Sequence, residues 1–128
     1  MKRVIVALLA MGLSACASTK FDVDEYKLIT DIRFTALVSK SQCSDSIKSQ
    51  INSENMVTKT MYLKFYEQYL PNNAKGYDAA FILDKMAHEM NQRYATPASV
   101  TPAYCVEKYN IILDSAEMMQ YAIGKRQQ

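Results

Sequence analysis

Apolar side chains recur at intervals of three and four through four stretches of this chain, and little inside those stretches can break a helix. Val23, Tyr26, Ile29, Ile32, Ala36 and Leu37 trace the first face, which runs to about Lys40. Asp22 opens it as an N-cap, with Glu25 placed to reach back in a relative of the capping box. Cys43, Ile47 and Ile51 continue the spacing of four, but Ser39, Ser41, Ser44, Asp45 and Ser46 compete for the helical backbone. A kink, a short break or continuity each fit there. Ser53 is a cap for a second helix in which Met56, Val57, Met61, Phe65 and Tyr69 alternate with Tyr62, Tyr66 and Leu70, and Pro71-Asn72-Asn73 stops it. A third helix runs from about Lys75 to Ala95, with Tyr77, Ala80, Leu83, Ala87, Met90 and Tyr94 on one side, and ends before Pro97. Thr101-Pro102 supplies a cap and a first-turn proline for a fourth, whose face is Cys105, Tyr109, Ile112, Ala116, Met119 and Ile123 and which closes at Gly124. Three glycines and three prolines are too few for an all-β domain, which needs a turn roughly every 8–12 residues. The expected fold is all-α, a small up-and-down four-helix bundle.

Ahead of these helices the chain reads Met1-Lys2-Arg3, then runs apolar from Val4 to Leu13 and continues Ser14-Ala15-Cys16. A basic start, a short apolar stretch and small residues before a cut make a secretory signal. The run is shorter than the roughly 20 residues a membrane span needs. Leu13-Ser14-Ala15-Cys16 resembles the lipobox of bacterial lipoproteins, which implies cleavage before Cys16, acylation of that cysteine and attachment to a membrane through its lipid. The alternative is a plainly secreted protein. By the same resemblance, Ala17 and Ser18 after the cysteine, where an aspartate would retain a lipoprotein on the inner membrane, imply the periplasmic face of the outer membrane. The chain then divides into a signal peptide (1–15), a lipidated N-terminus with a short linker (16–21) and a helical domain (22–128). The linker reaches at most about 20 Å.

With Cys16 spent on lipid, Cys43 and Cys105 are the remaining thiols in a compartment that permits disulfides. Their bridge would close a loop worth about 4 kcal/mol of chain entropy. A metal pair or a redox pair fits less well, because no Cys-x-x-Cys is present and His88 is far from both in sequence. The formal charge of +2 belongs to the signal peptide: without Lys2 and Arg3, thirteen basic side chains face thirteen acidic ones. A neutral, mixed surface offers no electrostatic footing for nucleic acid or for anionic lipid.

Chemistry-bearing motifs are scarce. His88-Glu89 has no histidine at position 92, so the zinc-protease helix motif is missing, and Asp84 and Glu89 are five apart on one helix. No Gly-x-Ser-x-Gly, phosphate-cradling glycine loop or acidic calcium loop occurs. We expect a protein that is not an enzyme and has no cofactor and no metal. The notable excess is nine tyrosines, all after Cys16, with six methionines there. Tyr62, Tyr66 and Tyr69 fall at helical spacing with Lys59 and Lys64 between. They read either as half-buried rings at the rim of a small core or as a tyrosine and methionine groove that receives a partner helix or strand. A basic-aromatic strip for single-stranded nucleic acid is a third reading, disfavoured by the periplasmic address.

The layout resembles the helical secretin pilotins of type II secretion systems, in Ser39-Lys40-Ser41-Gln42-Cys43 after the first helix and Thr101-Pro102-Ala103-Tyr104-Cys105 opening the last. The tyrosine-rich second helix and the asparagine-rich turn depart from that pattern. The resemblance implies a non-enzymatic module that binds a segment of an envelope protein and carries it to the outer membrane. A phage- or plasmid-encoded exclusion or receptor-blocking lipoprotein, or a structural envelope lipoprotein, would share this address and composition.

Overall fold

A computed structural model describes residues 19–127; Cys16 and the signal segment lie outside them. Four helices follow one another: α1 (Val23–Ser41), α2 (Ser46–Tyr69), α3 (Ala74–Arg93) and α4 (Pro102–Gly124), with 3-10 turns at Pro97–Ser99 and Lys125–Gln127. The caps explain the boundaries. Asp22 accepts from the backbone N–H groups of Asp24 and Glu25 at 2.9 and 2.8 Å, and Thr101 accepts from Tyr104 at 3.1 Å ahead of Pro102. Asn72, at φ 54°, turns the chain between α2 and α3, a left-handed conformation that asparagine tolerates.

Each helix carries its buried residues in alternating steps of four and three. They are Glu25, Ile29, Ile32, Ala36 and Ser39 in α1, and Ser49, Ser53, Met56, Thr60, Leu63 and Glu67 in α2. In α3 the line is Ala80, Leu83, Ala87 and Met90, continued by the cap residue Tyr94 and flanked by buried Asp84, and in α4 it is Cys105, Tyr109, Ile112, Ala116, Met119 and Ile123, flanked by buried Gln120. This is the seam spacing of heptad packing, so each helix keeps one narrow stripe toward the bundle axis. Ile29, Leu63, Leu83 and Ile112 are sealed from solvent, at about 1.5–3 kcal/mol each. α1 packs most extensively on α4 and α2 on α3, while the α3–α4 seam is looser.

The expected faces hold for α3 and α4 and need correction in the first two helices. In α1, Val23, Tyr26 and Leu37 are exposed, and the stripe passes through Glu25 and Ser39 instead. Glu25 does not reach back to the cap; it turns inward to Arg126. The serine-rich segment is a true break. α1 ends at Ser41 and Asp45 caps α2 by accepting from Lys48 N–H at 3.0 Å. Ser53 is therefore not a cap but a buried mid-helix residue that donates to the Gln50 carbonyl and accepts from Asn91 at 2.8 Å. On α2, Met61 and Phe65 lie outside and Ser49, Ser53, Thr60 and Glu67 inside. Each inward polar residue has a partner: Ser49 meets the Tyr94 hydroxyl, Thr60 donates to Asp84 at 3.1 Å, and Glu67 accepts from Asn73. Satisfied polar groups can occupy a core that apolar patterning would deny them.

Cys43 lies in the turn between α1 and α2 and is bonded to Cys105 in the first turn of α4, across 62 residues and a Cα–Cα distance of 5.7 Å. The bridge ties that turn to the opposite end of the sequence. No described helix is long and apolar enough to cross a membrane.

Candidate functional site

The three tyrosines singled out on α2 do not share one face. Tyr62 and Tyr69 point to solvent, 61% and 80% exposed, whereas Tyr66 turns toward α1 and donates to Asp22 at 2.9 Å. Burial, then that bond to a carboxylate, pushes the Tyr66 phenol up to about 12. Phe65 and Met61 join Tyr62 and Tyr69 outside, and Ile47 and Ile51 stand exposed near the start of the helix, separated from them by Glu54 and Thr58. The result is a convex ridge on a packed helix and not a groove. Apolar spacing alone groups Phe65 and Met61 with Met56; the heptad step from Met56 to Leu63 is the one the buried line follows.

At the end of the bundle where α1 starts and α2 ends, a polar cluster is shut away from solvent. Glu25 and Glu67 are both buried. Arg126 donates from Nη1 to Glu25 Oε2 at 2.8 Å and from Nη2 to Asn73 Oδ1 at 3.3 Å, and Asn73 Nδ2 donates to Glu67. Burial first, and then the hydrogen bond and charge of Glu67, raise the Glu25 carboxyl to about 8. Glu25 and Glu67 each keep one buried oxygen, Oε1, with no hydrogen-bond partner. Asp22 shifts the opposite way, held low chiefly by the Glu25 N–H. A side chain at Gly76 would strike Asn73 and come within 2.7 Å of Glu67 Oε2, so the cluster needs glycine there. This arrangement can hold a proton and lock four chain segments together.

A second polar group joins α2 to α3. Buried Asp84 takes Lys64 at 2.6 Å and Thr60 at 3.1 Å, and His88 Nδ1 lies 3.2 Å from it, one helical turn away. His88 Nδ1 also lies 2.9 Å from the Asp84 carbonyl, so the imidazole rests on its own helix beside an ion pair. Among the described residues, no three histidine, cysteine, aspartate or glutamate side chains converge as metal ligands.

The loose α3–α4 seam opens a cleft of about 500 Å³, a site that the sequence reading missed. Met90 and Ile112 belong to its floor. At its rim the Arg93 guanidinium lies 4.7 Å from the Tyr104 ring centre, and Lys108 Nζ lies 5.5 Å from the same ring. Periodicity cannot reveal a gap between two regular helices.

No family model, no curated protein and no solved structure matches this chain.

Proposed function

We propose that this protein is a lipoprotein acylated on Cys16, held at the periplasmic face of the outer membrane, and that it works as a non-enzymatic binding and assembly module, pilotin-like in holding a segment of an envelope protein. The observation that carries the binding role is the exposed ridge of Met61, Tyr62, Phe65 and Tyr69 on a helix whose core is complete without it. Tyrosine and phenylalanine on a rigid support bury large area at low entropic cost, and tyrosine is enriched at interface hot spots. Tyr66 stays out of this surface, since it braces α1 through Asp22.

Two measurements test the reading. Metabolic labelling with palmitate should mark the wild type and leave Cys16→Ser unlabelled and unprocessed; equal labelling of both overturns the anchor. A photo-crosslinking phenylalanine at Tyr62 should trap one discrete envelope protein that the same probe at exposed Asp114 on α4 does not. Identical adducts from both positions, or none from Tyr62, would remove the ridge as a binding surface.

A further inference from the structure

The described chain enters the bundle at the turn between α2 and α3. Thr19 Oγ1 donates to the Asn72 carbonyl at 2.8 Å, and the Phe21 ring rests on Tyr26 with centres 5.7 Å apart. Ala17 and Ser18 alone separate Thr19 from Cys16, and three peptide units span about 11 Å when fully extended. Acyl chains on so short a tether draw this end of the bundle into the headgroup layer.

The side chains at this end suit that layer. Tyr69 stands exposed on the last turn of α2, followed by Leu70 and Pro71, and Tyr121 stands exposed on the last turns of α4 with Lys125 Nζ 4.8 Å from its ring centre. Rings with an apolar body and a polar tip settle at the boundary between lipid tails and water, and lysine stems reach from there to phosphate. Lys20, Lys75 and Lys125 are all exposed here. Of the acids nearby, Asp24 has Lys27 at 3.9 Å and Glu25 has Arg126, which leaves Asp22 and Asp78 against three lysines. The neutral charge of the mature chain therefore hides a local excess of one cation.

We infer that the end of the bundle bearing Tyr69, Leu70 and Tyr121, ringed by Lys20, Lys75 and Lys125, is a membrane-contact surface that seats in an anionic phospholipid leaflet, with the four helices standing along the membrane normal. This inference rests on lipidation of Cys16. It places the disulfide and the first turn of α2 about 33 Å farther from the lipid, at 1.5 Å per helical residue. The rest of the α2 ridge, Met61, Tyr62 and Phe65, then runs up the side of the bundle, clear of the membrane, with Tyr69 at its membrane end.

The chain contains no tryptophan, so a single introduced indole reports one position. Tyr69→Trp, Tyr121→Trp and Ile47→Trp replace exposed side chains at the near end, the near end and the far end of the bundle. Each acylated full-length mature variant is placed on phosphatidylethanolamine–phosphatidylglycerol vesicles with brominated acyl chains. Indoles at 69 and 121 should shift to the blue and be quenched severalfold more than the indole at 47. Equal quenching at 47 would mean that the bundle lies flat on its α2 ridge and would overturn the inference. Protein that floats with the vesicles yet shows no quenching at 69 or 121 would also overturn it, with the anchor intact. Quenching unchanged when phosphatidylcholine replaces phosphatidylglycerol would overturn the anionic preference. Protein that neither floats nor takes up palmitate would instead refute the anchor itself.

Discussion

Glu25 shows how one side chain can couple fold stability to pH. Its carboxyl has an ordinary value near 4.5 and rises to about 8 in the folded chain, chiefly through burial and then through Glu67. Between those values the folded protein holds a proton that the unfolded chain has lost. Stability is therefore fullest in mild acid and falls as pH rises through about 8. Asp22, shifted down, acts at the acid extreme and leaves this window alone. Arg126, which faces Glu25, keeps its charge throughout. Glu25→Gln keeps the neutral shape without the titration, so its melting temperature should stay flat from about pH 6 to pH 9 while the wild type drops by several degrees. Parallel curves for the two proteins would show that Glu25 does not titrate in this window.

At the scale of the element, α2 is built against its own amphipathic pattern. Its inward line is mostly serine, threonine and glutamate, while Ile47, Ile51, Met61, Tyr62, Phe65 and Tyr69 stand exposed among its polar residues. Small inward side chains let α2 approach its neighbours, while Asn91, Asp84 and Asn73 satisfy the polar atoms. Leu63, fully buried, should behave as core: Leu63→Ala is expected to cost about 2–5 kcal/mol in chemical denaturation. Tyr62→Ala combined with Tyr69→Ala should stay within about 1 kcal/mol of wild type, because each ring is mostly in solvent. If the tyrosine pair cost as much as Leu63, the ridge would be part of the core and the binding surface would have to be sought in the α3–α4 cleft.

For the whole molecule, two devices hold opposite ends of the bundle. The Cys43–Cys105 bond fastens the α1–α2 turn to the start of α4, and the Glu25–Glu67–Asn73–Arg126 cluster fastens the other end. A loop of 62 residues corresponds to about 4 kcal/mol of unfolded-state entropy. Reduction should accordingly lower the melting temperature by something on the order of ten degrees, read by calorimetry with and without reductant. Two titratable thiols in the native oxidised protein would exclude the bond. Fastened at both ends, the α3–α4 seam can stay loose and keep its cleft without fraying the fold.

Helix count, the stops at Pro71 and Pro97, the caps at Asp22 and Thr101 and the pairing of Cys43 with Cys105 were all legible from residue order. The helix features are local, and backbone chemistry within a few residues decides them, while the cysteine pairing followed from the expectation that Cys16 carries lipid. The faces of α3 and α4 were legible too, since their buried lines are almost wholly apolar. The break between α1 and α2 was open in the sequence, where serines weaken a helix without ending it. Tertiary structure closed it by drawing Cys43 into a turn that reaches Cys105. What only the folded chain decided was which side of α1 and α2 faces inward. Glu25, Ser53, Thr60 and Glu67 go inside because partners from helices distant in sequence meet them, and a polar atom's fitness for burial depends on those partners and not on its own residue type.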